Sequence, residues 1–139
     1  MDTPYKMIDH TGDAGAVIYG ATKEELFVNA AFAMIDLMID RSTVAPRVTR
    51  EISVNGEDQE DLLVRWLSEL NYLVETEHEI FSEFEIEHIS DTRLCANARG
   101  EALDPLRHQL HTAIKAVTYH QLYIRETGDG YEAQVIFDL

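Results

Sequence analysis

DLLVRWLSELNYLVE, from Asp61 to Glu75, is the stretch on which the fold class turns. Leu62, Leu63, Trp66, Leu67, Leu70 and Leu73 recur at spacings of three and four and share one stripe. Arg65, Ser68, Glu69 and Asn71 fall largely off it. The pattern is that of an amphipathic helix with Trp66 as its core anchor. The acidic run Glu57-Asp58-Gln59-Glu60-Asp61 in front of it resembles a metal sponge. It reads better as a negative first turn, which the helix dipole favours.

A second helix opens at Thr22-Lys23-Glu24-Glu25, a capping box in which Thr22 accepts from the backbone three residues on. Leu26, Phe27, Ala30, Ala31, Met34, Leu37 and Met38 give it one apolar face, and it should end near Asp40. Strand signals surround the two helices. Short strand-like runs flank HTGDAG, residues 10–15, and residues 44–54 alternate up to the turn signal Asn55-Gly56. FSEFEIEHI sets Phe84, Ile86 and His88 against Glu83, Glu85 and Glu87, and TRLCANARG follows. Two more strands are expected around residues 122–125 and 131–137. HQLHTAIKAVTYHQ reads equally as strand or short helix. Two helices among six or more strands imply an α+β domain over residues 1–139. The expected form is a single two-layer domain: one twisted mixed or antiparallel sheet with both amphipathic helices packed on one face. The pattern does not contain the pairing order.

The charge is lopsided. In 139 residues, 45% of them hydrophobic, 11 Lys and Arg face 26 Asp and Glu, for a net −15. Such a surface repels phosphate, so tight unaided nucleic-acid binding is not expected. It suits a basic partner or a metal cation, or serves solubility alone. No apolar run reaches the roughly 20 residues of a membrane span, and MDTPYKMIDH lacks a signal-peptide core. The lone Cys95 allows no internal disulfide. A cytoplasmic setting is therefore expected. Within LCANA, Cys95 reads as a small buried core residue.

His108, His111 and His120, with Cys95, invite a zinc reading, but the framing that makes zinc signals specific is missing. Hydrogen-bonded or solvated histidines are the plainer reading. GxxxxGK[ST], GxGxxG and GxSxG are also missing. Two places remain. Asp13 stands in the glycine-flanked HTGDAG, and Asp138 ends an apolar run just before Leu139. Clustered carboxylates call for a cation, and oxygen-only ligands select Ca²⁺, Mg²⁺ or Mn²⁺. Taken singly, Asp13 is a turn residue and Asp138 a solvated strand end. The sequence does not show that they meet.

Along essentially its whole length the chain resembles the archease family. The resemblance is carried by HTGDAG with the following IYG, TKEELFVNAAFAMIDLM, DLLVRWLSELNYLVE, FSEFEI, LDPLRHQLHTAIKAVTYH and the closing VIFDL. The small departures, at Gly12 and Ala14, touch no carboxylate. The resemblance implies a non-catalytic accessory protein of an RtcB-type RNA ligase, which joins RNA ends in tRNA splicing and RNA repair. That ligase works through a guanylylated histidine, GTP and divalent metal. The helper promotes guanylylation and multiple turnover. The family's metal-binding acidic positions correspond to Asp13 and Asp138, with Leu139 offering a terminal or backbone oxygen. A lysine that matters for activation matches Lys115, and His10 is expected to orient its turn. Two other classes stand beside this one. One is a small metal-dependent phosphohydrolase built on Asp13, Asp138 and His10; the other is a plain interaction or chaperone-like module.

Overall fold

The structure is a computed structural model that describes residues 3–10 and 12–139, without the side chains of Asp9 and His10. Its elements run β1 (Tyr5–His10), β2 (Asp13–Gly20), α1 (Lys23–Met38), a 3-10 turn (Arg41–Thr43), β3 (Val48–Asn55) and α2 (Gln59–Glu75). Then come β4 (Glu79–Ile89), β5 (Arg93–Ala102), the two-residue β6 (Ala116–Val117), β7 (Tyr123–Thr127) and β8 (Gly130–Asp138).

Both helices start where their caps dictate. Thr22 Oγ1 accepts from the Glu25 amide at 3.1 Å, and Asp58 accepts from the Asp61 amide at 2.8 Å. α1 stops at Met38, and Asp40, the expected end, caps the following 3-10 turn by accepting from the Ser42 amide. Among the described residues, no helix is long and apolar enough to cross a membrane.

The α+β class with two helices is what the structure shows, but the strands divide between two antiparallel sheets where one was expected. β1-β2-β8-β6 form the first, with β7 also pairing β8. β3-β5-β4 form the second. The helices do not cover one face of one sheet. α1 touches β1, β2 and β8 of the first sheet and β4 of the second; α2 touches β6 and β7 as well as β3, β4 and β5. The physical reason is visible in α1. Beyond the expected face, Ala33 and Ile35 are fully buried, while Leu37 is only half-buried. A helix apolar around most of its circumference needs cover on more than one side. Trp66 is the anchor the pattern implied: it is fully buried, and its Nε1–H donates to the Phe27 carbonyl at 2.9 Å, tying α2 to α1.

Two side chains depart from the strand alternation. His88 is exposed, because the β4–β5 register shifts between Ile86 and His88 and Ile89 takes the core side instead. Cys95 is half-buried and not a core residue. Leu94, Ala96 and Ala98 take the inner face of β5, which turns Cys95 toward Ser53, 3.7 Å away. Hydrogen bonding from Ser53 and then Arg93 lowers its thiol pKa.

HQLHTAIKAVTYHQ is neither helix nor strand for most of its length. Only Ala116–Val117 pairs, and the rest is irregular chain fastened by side chains. Its leading clamp is Glu101. The carboxylate accepts from the Ala45 amide and from His108 Nε2, at 2.8 and 2.9 Å, and meets Arg107 and Arg47. His108 is buried, and its Nδ1 accepts from the Asp104 amide at 2.9 Å. The Ala45 hydrogen bond, then His108 and Arg107, hold the Glu101 carboxyl down to about 2 against the opposing effect of burial.

A carboxyl whose pKa is lower folded than unfolded adds stability above its unfolded value, and that stability is lost as pH falls. For Glu101 the loss should run from its ordinary 4.5 to about 2. In thermal melts across that window, Glu101→Gln should be less stable than wild type at pH 6 and lose less on acidification. Parallel wild-type and variant curves would show that the clamp carries no charge-dependent stability.

Candidate functional site

Gly12 stands directly before β2. Gly12 has φ +75°, a left-handed conformation that glycine adopts without steric cost, and Asp13 follows as the first residue of β2. Asp13 pairs with His10 on one side and with Asp138 on the other. Asp138 in turn pairs with Ala116 of β6. One row across the end of the sheet therefore runs His10, Asp13, Asp138, Ala116. The two carboxylates that the sequence left at opposite ends of the chain are direct cross-strand neighbours.

Their orientation follows from the pleat. Ala16 and Ile18 of β2 and Ala133, Val135 and Phe137 of β8 point into the core. Asp13 and Asp138 have the opposite parity, so both stand on the outer face. Directly paired residues on one face hold their Cβ atoms about 4.5–5.5 Å apart, close enough for two carboxylates to share a cation. Asp13 is half-buried and Asp138 exposed.

Lys115 precedes the row. Its backbone N–H donates to the Asp138 carbonyl at 2.8 Å, and its side chain is exposed, with no ion pair to a described residue. Leu139 is half-buried and packs against the core. The structure thus brings Asp13, Asp138, Leu139 and the Lys115 backbone to one sheet end. The role expected of the His10 side chain lies outside the described residues.

The zinc reading finds no cluster. His108 is consumed by its two hydrogen bonds, His111 and His120 are exposed, and Cys95 belongs to the other sheet. Among the described residues, no group of three or more His, Cys, Asp and Glu is placed to hold a metal ion. The acidic run before α2 is a helix start, as its pattern indicated. Asp61 accepts from the Glu57 amide, Arg65 and the Tyr119 hydroxyl, which bring its pKa down to about 2, the Tyr119 bond first.

Two contributors went unread in the sequence. Asn71, taken as off the apolar stripe, is 9% exposed, and its Nδ2 donates to the Ile114 carbonyl at 2.9 Å. Tyr119 reaches Asp61 at 2.6 Å. Together they fasten the Lys115 segment to α2. The only sequence signal for Asn71 is its place next to Leu70 at the stripe's edge.

These features define a class: small, acidic α+β proteins with a carboxylate pair at the end of one sheet. The model of the Archease protein family (MTH1598/TM1083) matches residues 5–139, and the chain belongs to that family. Protein archease of Methanosarcina barkeri is 43% identical, over 97% of this chain and 95% of the relative. Protein archease of Methanopyrus kandleri is 37% identical, over 98% and 99%. The solution structure of protein 1598 from Methanobacterium thermoautotrophicum superposes with a TM-score of 0.80 at 34% identity, covering 98% of this chain and 99% of that one. The crystal structure of a Thermotoga maritima archease, described as a possible chaperone, gives 0.69 at 23% identity, covering 96% of each chain.

Like charges directly opposite in a sheet destabilise it by roughly 0.2–1 kcal/mol. In chelator-treated protein, Asp13→Asn or Asp138→Asn should therefore raise stability by an amount of that order in urea unfolding. A loss of stability would mean that each carboxylate has a structural partner and the pair is no site.

Proposed function

We propose that this protein is a non-catalytic activator of an RtcB-type RNA ligase in tRNA splicing and RNA repair. On this reading it promotes guanylylation of the ligase by GTP and multiple turnover, with a divalent cation held at Asp13 and Asp138. Family membership supports the accessory role. The observation that carries the site is the pairing of Asp13 with Asp138 in a row that Lys115 adjoins.

The donor set fits a hard cation. Two carboxylates on one outer face, with the main-chain oxygen of Leu139 next in the chain, offer oxygen alone. So few protein ligands suit Mg²⁺, Mn²⁺ or Ca²⁺ that keep several waters. When bound, the cation would neutralise charge on a phosphate. The protein's own contribution is position. The β2–β8 register holds the two carboxylates side by side, and the bond from the Lys115 amide to the Asp138 carbonyl fixes the Lys115 backbone next to them. An ammonium there complements a phosphate or a ligase carboxylate.

A net −15 favours encounter with a ligase that is basic where it holds RNA. A single cysteine suits the reducing cytoplasm. Two described carboxylates are few for two-metal hydrolysis, so no observation favours a phosphohydrolase.

Transfer of label from GTP to a purified RtcB-type ligase in Mn²⁺ tests the reading. Wild type should stimulate it. Asp13→Ala and Asp138→Ala should lose both calorimetric Mn²⁺ binding and stimulation. Lys115→Ala should keep Mn²⁺ binding and lose stimulation by roughly tenfold, the scale of one charge-assisted contact. Full stimulation by both aspartate variants would overturn the metal role. Release of phosphate from simple esters by the protein alone would move it to the enzymes.

A further inference from the structure

Of the six exposed large apolar side chains among the described residues, Met7 and Val48 lie on β1 and β3, and the other four gather about one segment. Leu106 is 97% exposed, Leu110 56%, Tyr119 57% and Tyr72 50%. The first three belong to the irregular segment before and after β6, and Tyr72 stands on the α2 surface beneath it. Two grooves lie along this seam. One, of about 260 Å³, is lined by Leu103, Leu110 and Val74 among others; the second, of about 560 Å³, by Tyr72, Ile114 and Lys115 among others. They meet at Glu75 and Ala113, which line both.

These side chains cannot simply turn inward, because the backbone that carries them is tied down. Leu110 bridges to Ile39, and the His111 amide donates to the Met38 carbonyl at 2.8 Å. Asn71 holds the Ile114 carbonyl, and the Tyr119 side chain is itself held through its hydroxyl by Asp61. Tyrosine and leucine fixed outward around grooves are pre-organised for an interface, since little side-chain and loop freedom remains to be lost.

We propose that this face is a docking surface for a basic protein, with Tyr72, Leu110 and Tyr119 as its apolar anchors and Glu75 as its charged centre. The proposal rests on the reading above, in which the protein acts by binding a partner protein. Charge selects the occupant. A chain of net −15 repels a second copy of itself, a nucleic acid and an anionic lipid surface alike. A basic protein surface is attracted, and its apolar side chains fill the grooves. The face is also continuous with the carboxylate row, because Ala116 pairs with Asp138 and Lys115 lines the larger groove. A partner seated here is next to Asp13 and Asp138.

The probe is a purified RtcB-type ligase, its affinity for the full chain measured by calorimetry. Leu110→Glu, Tyr72→Ala and Glu75→Lys alter exposed side chains, so their thermal midpoints should match wild type. Each should weaken binding at least about tenfold, the scale of an interface hot spot. Glu85→Lys makes the same charge change on the exposed face of the other sheet and should shift affinity less than about twofold, as rim charges do. If the ligase binds wild type and the three variants equally, the surface is wrong and the ligase reading stands. Equal weakening by Glu75→Lys and Glu85→Lys, with Leu110→Glu and Tyr72→Ala unchanged, would reduce the surface to general charge and overturn it. If wild type itself does not bind, the ligase reading falls and takes the surface with it.

Discussion

The register of the β2–β8 ladder is the constraint on which the site depends. With a side-chain period of two, a slip of one residue would send Asp13 or Asp138 into the core and bring Phe137 out. Two contacts oppose such a slip. On the inner face, Ala16 and Ile18 lie against Val135 and Ala133 in the common core. On the outer face Ile136 lies opposite Gly15, where an added Cβ would come within 2.9 Å of Ile136 Cδ1. A side chain there would oblige the tip of Ile136 to shift, and Ile136, 1% exposed, is buried on the side that otherwise faces solvent. The apolar packing that stabilises the sheet is the same packing that aligns two charges at its end.

That dependence explains what the sequence could and could not disclose. Periodicity and capping are local, so both helices, their caps and the Trp66 anchor were legible from residues a few positions apart. So were most strands. Pairing is not local. Nothing in HTGDAG or VIFDL states that one lies beside the other, and each aspartate alone reads as an ordinary turn or strand end. Division into two sheets was hidden for a similar reason: the extra apolar positions of α1, Ala33 and Ile35, acquire meaning only when a second sheet covers them. His88 was misread because one bulge shifts parity, and no residue type marks that bulge. Cys95 was misread because alternation names two faces without saying which is inner.

The segment from Leu103 to Tyr119 carries this furthest. It has almost no backbone regularity, so neither helical nor strand periodicity could describe it. Its shape comes from side chains of other elements: Glu101 on His108, Asn71 on Ile114, Asp61 on Tyr119. Two of these holders are carboxylates with pKa values brought down to about 2. Part of the large acidic excess is thus structural, and composition alone assigns all of it to the surface.

Among the Lys and Arg side chains, Lys115 belongs with Lys6 and Arg93 to the few that make no ion pair with a described residue. Arg47 and Arg107 meet Glu101, Arg65 meets Asp61, Arg50 meets Glu79, and Arg125 meets Glu132. Arginine suits such fixed, forked pairing with carboxylates, and here it is employed inside the fold. A lysine differs: it is a compact, strongly hydrated charge on a flexible stem. Lys115 makes no ion pair with a described residue, although its backbone is bonded to the strand that carries Asp138. In a chain this acidic, a cation beside the carboxylate row could have been neutralised from many directions. The geometry instead fixes its backbone and leaves its ammonium to whatever approaches the row. On the proposed reading, the carboxylate pair and the lysine whose backbone adjoins it form a site that is complete only when something docks against it.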